Sequence, residues 1–207
     1  EHMFYGSGSD RPLFLLRKMI LSTTEQERRS ALDELFPFVK RDIKATLEVM
    51  EGLPVTIRLL DPPLHEFVPQ SEEKQQELAQ ALGITVEEVR KRGDALHENN
   101  PMMGHRGVRL GITYPEITEM QVRAIFESAA ELIVSGKKCR PEIMIPVTCD
   151  VKEISHQKEI ISRVHREVCR EKGLRPSQLP YMTGTMIEIP RACLVADEMA
   201  AEAEFFS

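Results

Sequence analysis

The hydrophobic positions of the first third of the chain recur every three or four residues. This spacing covers residues 32–50 and predicts an amphipathic helix. Thr24 and Glu27 form a capping-box pattern just before it, and Gly52 is a candidate C-terminal cap. Pro37 interrupts the pattern, which predicts either two helices or one kinked helix.

Four later stretches also have helical patterns. Residues 71–99 are polar and predict two short helices separated by Gly83, the second with a capping box. Residues 115–132 and 154–171 carry apolar stripes at helical spacing, and residues 192–203 predict a last helix.

Short apolar runs alternate with these helices. Residues 55–60, 143–147 and 186–190 predict buried strands, and residues 105–111 predict a short strand or turn. Phe205 and Phe206 have the pattern of the first residues of a further strand. Because strands and helices alternate, we expect an α/β fold with a parallel sheet.

The composition is that of an ordinary globular protein. The chain has 207 residues, 42% of them hydrophobic, so one domain with a substantial core is expected. Its net charge of −6 argues against nucleic acid and anionic membranes as partners, and no apolar run is long enough to span a bilayer. The four cysteines lack zinc-type spacing, and no secretory signal pattern is present, which predicts a cytoplasmic protein with reduced thiols.

Charged residues stand where the predicted strands end. Arg58, Asp61 and Glu188 interrupt or follow apolar strands, and Arg106 and Arg109 flank another. A guanidinium group binds phosphate or carboxylate through two parallel hydrogen bonds, and a carboxylate can supply one oxygen to Mg2+. These residues therefore predict an anion-binding and metal-binding site at the strand ends. Structural ion pairs, such as Arg58 with Asp61 or Arg106 with Glu188, explain the same pattern about equally well.

Four sequence blocks resemble a known family. They are VTIRLLDPPLHEF (residues 55–67), NPMMGHRGVRLG with YPE (100–116), PEIMIP (141–146) and TMIEIPRA (185–192). In this order they resemble the phosphoenolpyruvate/pyruvate-binding domain of the pyruvate, phosphate dikinase family, over essentially the whole chain. The sequence of the first block and Gly-His-Arg-Gly at 104–107 favour this family over phosphoenolpyruvate synthase and Enzyme I of the sugar phosphotransferase system.

The resemblance implies a (β/α)8 TIM barrel that binds phosphoenolpyruvate or pyruvate with Mg2+. Its implied parent enzyme is a homodimer that interconverts ATP, phosphate and pyruvate with AMP, diphosphate and phosphoenolpyruvate. A phosphohistidine on a separate domain carries the phosphoryl group. By motif, Arg58 and Arg106 would be catalytic and would bind the phosphoryl group. Asp61, Met186 and Glu188 would also contact the substrate, and Glu188 would be a Mg2+ ligand.

Parts of the family pattern lie outside these residues. An arginine would precede residue 1, and an asparagine with a second metal-ligand aspartate would follow residue 207. We therefore expect residues 1–207 to form the centre of an incomplete barrel, with a helical excursion at about 69–100, and to be inactive alone. The alternatives are a fragment of phosphoenolpyruvate synthase or Enzyme I, or a non-catalytic half-barrel module in which Arg58 and Glu188 form a structural pair.

Overall fold

A computed structural model describes residues 10–62, 64, 68–69, 71–97 and 100–207. The resemblance block at 55–67 therefore lies partly outside the described residues. In chain order the helices and strands are α1 (Asp10–Leu21), α2 (Glu25–Val49), β1 (Pro54–Arg58), α3 (Glu72–Leu82), α4 (Val86–Ala95), α5 (Gly107–Thr113), α6 (Pro115–Val134), β2 (Arg140–Ile145), α7 (Val151–Lys172), β3 (Met182–Thr185), α8 (Pro190–Leu194) and α9 (Ala196–Ala200). No helix in these ranges is long and apolar enough to cross a membrane.

The described residues divide into two compact units. One contains the residues up to Leu35 and those from Pro62 to Arg106, and the other contains Phe36–Asp61 and Gly107–Ser207. In the first unit, helices α1, α3 and α4 enclose a small apolar cluster of Leu21, Val68, Leu78, Ala79 and Val89. Its two short polar helices confirm the pattern at 71–99.

The turn between α3 and α4 follows the sequence prediction closely. Gly83 ends α3 in the left-handed conformation, with φ of +66°. The Thr85 hydroxyl then accepts a hydrogen bond from the Glu88 backbone N–H at 3.2 Å and caps the start of α4.

The second unit contains a parallel sheet in the order β1-β2-β3. Arg58 stands opposite Met144, and Ile145 stands opposite Thr185. Phe206 pairs in parallel with Thr185, which confirms the strand start predicted at 205–206. Strands, helices and parallel pairing together confirm the α/β class.

Helices α6 and α7 contribute many of the buried apolar side chains of this unit. The stripe predicted over residues 115–132 is buried, and so are Ile143 and Ile145 of β2. The Phe126 ring lies edge-on against the rings of His165 and Tyr181, each 5.0 Å away between centroids. Burial lowers the pKa of His165, whose Nε2 lies 2.9 Å from the Leu179 carbonyl oxygen.

Two strand predictions are wrong in position or burial. β1 is not buried, because its residues alternate between exposed and half-buried and Arg58 is exposed. The predicted strand at 186–190 lies four residues too late: β3 ends at Thr185, and Met186 and Glu188 follow it. Gly184 makes β3 difficult to recognise, since a side chain there would collide with Phe205, where a Cβ would lie 2.5 Å from Cγ.

Three further predictions need correction. Residues 107–111 are helical in α5 rather than a strand or turn, because this segment buries Val108 and Leu110 and attaches by its first turn to the end of β2. Helix α2 continues through Pro37, so the two-helix alternative is wrong. The helix predicted at 192–203 is two short helices, α8 and α9.

Candidate functional site

The carboxyl ends of β1, β2 and β3 lie at one edge of the sheet because the three strands are parallel. Arg58 is the last residue of β1, and its carbonyl oxygen accepts a hydrogen bond from Gln121 Nε2 at 3.0 Å. Gln121 Oε1 accepts from the Leu60 N–H at 2.7 Å. One buried amide of α6 therefore holds the backbone on both sides of Leu59.

The motifs do not single out Gln121, although its position in the sequence carries a signal. It lies four residues after Ile117, within the apolar stripe of α6. A polar side chain on a buried helix face needs hydrogen-bond partners, which the backbone after Arg58 provides.

Asp61 lies deeper than the sequence indicated, with 3% of its surface exposed. It faces Gly107, the first residue of α5, where a Cβ would lie only 3.0 Å from Asp61 Oδ1. Gly107 also has φ of +57°, which favours glycine. The carboxyl group and the start of α5 therefore require a residue without a side chain at position 107.

The backbone of Val147 has an unusual conformation. Its φ is +61°, and it is the only non-glycine residue with positive φ in the described part of the chain. A β-branched residue there costs about 1–3 kcal/mol. Its buried side chain packs on Gly107, where a Cβ would lie 2.7 Å from Val147 Cγ2.

The peptide group between Pro146 and Val147 is held at both ends. The Pro146 carbonyl oxygen accepts a hydrogen bond from the Val108 N–H at 3.1 Å. The Val147 N–H donates to Glu188 Oε1 at 2.8 Å. We call the set of Asp61, Gly107, Val108, Pro146, Val147 and Glu188 the strand-end junction.

The residues just before Glu188 are held by β2 and by the loop that follows it. The Met186 N–H donates to the Ile145 carbonyl oxygen at 3.1 Å, and the Met186 carbonyl oxygen accepts from the Thr148 hydroxyl at 3.3 Å. The Thr148 and Thr185 hydroxyls lie 2.5 Å apart. These contacts hold the loop after β3 in place, although it does not form the strand predicted at 186–190.

The second unit thus places four of the five predicted site residues at one edge of its sheet: Arg58, Asp61, Met186 and Glu188. Arg106 belongs to the first unit, in the turn before α5, where its N–H donates to the Gly104 carbonyl oxygen at 3.0 Å. The roles that the resemblance implies for all five stay predictions.

The described residues fit Mg2+ as contributors of one carboxylate. Glu188 is half-buried, and its Oε2 takes no hydrogen bond within the described part of the chain. No group of three or more His, Cys, Asp or Glu side chains in that part could enclose a metal. Mg2+ is usually held by one or two carboxylates, with waters and substrate oxygens as its other ligands.

Cys149 follows the junction but has the properties of a structural thiol. Burial raises its pKa, and the Glu153 carboxylate raises it further. A thiol that stays protonated is a poor nucleophile. Arg191 links α8 to the same loop by donating to the Cys149 carbonyl oxygen at 3.2 Å.

Comparison with known proteins identifies the family. Residues 11–207 match the family described as PEP-utilising enzyme, PEP-binding domain. The chain is 53% identical to pyruvate, phosphate dikinase of Clostridium symbiosum over 208 residues, which covers 100% of this chain and 23% of that protein. It is 51% identical to chloroplastic pyruvate, phosphate dikinase 1 of Arabidopsis thaliana and 49% identical to pyruvate, phosphate dikinase of Rhizobium meliloti, with 100% of this chain covered in both cases and 21% and 22% of those proteins.

These matches determine what the chain is related to and how much of the relatives it represents. It spans about a fifth of the length of the curated relatives. Both the family match over residues 11–207 and the identities near one half include the strand-end junction. The chain belongs to the family of PEP-binding domains of PEP-utilising enzymes.

Proposed function

We propose that this chain forms part of the substrate site of a pyruvate, phosphate dikinase. The parent enzyme would be a phosphotransferase that interconverts ATP, phosphate and pyruvate with AMP, diphosphate and phosphoenolpyruvate. The parallel sheet would be part of a TIM barrel, with phosphoenolpyruvate or pyruvate at the carboxyl ends of its strands. The observation that carries this proposal is the strand-end junction, which joins the loops after β1, β2 and β3.

Arg58 is the residue best suited to hold the phosphoryl group. It ends β1 with an exposed side chain, and Gln121 fixes the backbone immediately after it. A guanidinium group at this position can bind two phosphoryl oxygens at once. It would stabilise the negative charge of the group during transfer. Arg106 would support the same group.

Glu188 would hold Mg2+ through Oε2, since Oε1 is already bound to the Val147 N–H. When bound, Mg2+ supplies positive charge beside the substrate oxygen that gains negative charge in the reaction. Asp61 would position Arg58 from the loop after β1, and Met186 would line the substrate site beside Glu188.

The phosphoryl group would come from a phosphohistidine on another domain of the parent enzyme. The relatives leave room for such a domain, because this chain covers only 21–23% of their length. The parent enzyme would form a homodimer.

Phosphoenolpyruvate binding to the complete gene product, titrated with and without Mg2+, tests the proposal. Arg58→Ala should weaken Mg2+-dependent binding tenfold or more, since a hydrogen bond to a charged group contributes about 1.5–3 kcal/mol. Glu188→Gln should weaken it as much, because it replaces the charged metal ligand with a neutral amide. Two control variants match them. Arg140→Ala removes an exposed arginine at the opposite end of the sheet, and Glu204→Gln alters a carboxylate that accepts the Thr183 N–H at 2.7 Å.

Both controls should bind phosphoenolpyruvate within about twofold of the unaltered protein. Binding that is indifferent to Mg2+ and to both site substitutions would contradict the proposal. That result would favour the non-catalytic binding module, in which the charges at the strand ends serve only the fold.

A further inference from the structure

The proposed function uses Glu188 but leaves the backbone of Val147 unexplained. Valine is among the residues least suited to positive φ, since its branched Cβ crowds the backbone there. Strain of this kind persists only where the surrounding structure maintains it, and it concentrates at functional sites. Val147 is fully buried and lies against Gly107, so its surroundings can maintain the strained backbone.

The conformation has a direct geometric effect on Glu188. Pro146 has no N–H, so Val147 provides the first backbone donor after β2. A peptide group is a rigid plane, and a rotation about φ of Val147 turns the whole plane. An extended Val147 with the same buried side chain would therefore aim its N–H away from Glu188 Oε1.

We infer that Val147 is a positioning residue for the Glu188 carboxylate. Its left-handed backbone directs the N–H at Oε1, which fixes the side chain and leaves Oε2 for the divalent cation. The Val108 N–H holds the other end of the same peptide group, so α5 and Glu188 are oriented together. This inference rests on the proposed function, because it concerns the metal role assigned there to Glu188.

Alanine and glycine at position 147 separate positioning from packing. Both substitutions remove the γ-carbons of the valine, but only glycine adopts positive φ without cost. Mn2+ can serve as the probe in place of Mg2+, because the electron paramagnetic resonance signal of free Mn2+ decreases when the ion binds. The measurement uses the complete gene product with phosphoenolpyruvate and without nucleotide. Val147→Ala should weaken Mn2+ binding about tenfold, as loss of a partner that orients a ligand usually does. Val147→Gly should stay within about threefold of the unaltered protein.

Val164 provides the matched control. It is a buried valine on α7 with an ordinary helical backbone. There glycine should lower the melting temperature more than alanine, because it removes more surface and is a poorer helix former. Neither Val164 variant should change Mn2+ affinity. A purely structural role for Val147 predicts that its two substitutions change the melting temperature but leave Mn2+ affinity unchanged, as at position 164.

Glu188→Gln separates failure of the inference from failure of the proposed function. It should weaken Mn2+ binding and remove the difference between alanine and glycine at position 147. If Glu188→Gln leaves Mn2+ binding unchanged, the metal role and the inference both fall. If it weakens binding but glycine at position 147 is as damaging as alanine or more so, only the inference is overturned. Should Val147→Ala fail to fold, Val147→Gly decides alone: a loss above threefold overturns the inference.

Discussion

Charge is held in two different ways in the second unit of this protein. An outer ion-pair layer joins helices α2, α6 and α7, and it consists of Lys40, Lys44, Arg123, Glu127, Glu131, Glu167, Glu171 and Lys172. The Glu131 carboxylate contacts three lysines: Lys40 and Lys44 at 2.8 Å each, and Lys172 at 3.2 Å. At the strand-end junction, by contrast, Glu188 accepts its hydrogen bond from a neutral backbone N–H.

The difference lies in what holds each carboxylate. In the outer ion-pair layer each carboxylate is neutralised by cations of the same unit. At the strand-end junction the donor to Glu188 carries no net charge, and the proposed Mg2+ would be the cation beside this carboxylate. The layer has no strained backbone, whereas the junction contains a valine with positive φ. This contrast is typical of a site maintained for binding at some expense in stability.

The largest expected effect on stability comes from Gly107→Ala, which places a side chain at the tightest contact of the strand-end junction. The new Cβ would lie 2.7 Å from Val147 Cγ2 and 3.0 Å from Asp61 Oδ1, in a backbone conformation with φ of +57°. Overpacking and the left-handed backbone together should cost about 3 kcal/mol of unfolding free energy. Hydrogen exchange of the α5 and α6 amides in the complete gene product measures the loss.

Gly136→Ala is the control for this substitution. Gly136 also has positive φ, +91°, but a Cβ there meets no atom within 4 Å. It isolates backbone strain and should cost about 1 kcal/mol. Equal losses at the two positions would show that the contact with Val147 and Asp61 is not tight.

Much of the fold could be predicted because it depends on local patterns. The stripe at 115–132 and the turn at Gly83 follow from spacing and from the freedom of glycine. Strand β3 could not be predicted, since its Met-Thr-Gly-Thr sequence has no strand periodicity. Its place is determined by pairing with β2 and by Phe205, which packs over Gly184.

The candidate site divides in the same way. Arg58 and Asp61 could be placed near the end of a strand because Arg58 lies late in the apolar run at 55–60 and Asp61 follows it directly. Glu188 was expected within a strand and lies after one, yet it reaches the same edge of the sheet. The donor to Glu188 was not predictable, because the direction of a backbone N–H depends on φ and not on the identity of Val147.

The next largest effect should come from the outer ion-pair layer. Burial alone would raise the pKa of Glu131, but hydrogen bonds from Lys40, Lys44 and Lys172 outweigh it and lower the pKa to about 2. With the side chain 28% exposed, we expect Glu131→Gln to cost about 2 kcal/mol of unfolding free energy. Glu159→Gln is the control, since Glu159 is exposed and has no ion pair within the described residues. It should cost under about 0.5 kcal/mol, and phosphoenolpyruvate binding should be unchanged in both variants.

The same residue predicts a pH dependence. A folded-state pKa below the unfolded value of 4.5 means that the unfolded state binds the proton first as the pH falls. The stabilisation from Glu131 should therefore be complete above about pH 5 and disappear progressively from there towards pH 2. Melting temperatures over this range should fall less steeply in Glu131→Gln than in the unaltered protein. Parallel curves would contradict the assignment of this acid sensitivity to the ion-pair layer.

The smallest effect tests whether neutral hydrogen bonds beside the junction matter at all. Thr148→Val removes a fully buried hydroxyl that lies 2.5 Å from the Thr185 hydroxyl and 3.3 Å from the Met186 carbonyl oxygen. Thr185 keeps its bond to the Ile145 carbonyl oxygen, so the loss should be only about 1 kcal/mol. Thr46→Val removes an exposed hydroxyl that donates to the Asp42 carbonyl oxygen at 2.9 Å, and it should be nearly neutral. If the two variants lose the same stability by hydrogen exchange, then the loop carrying Glu188 is held by its backbone contacts alone.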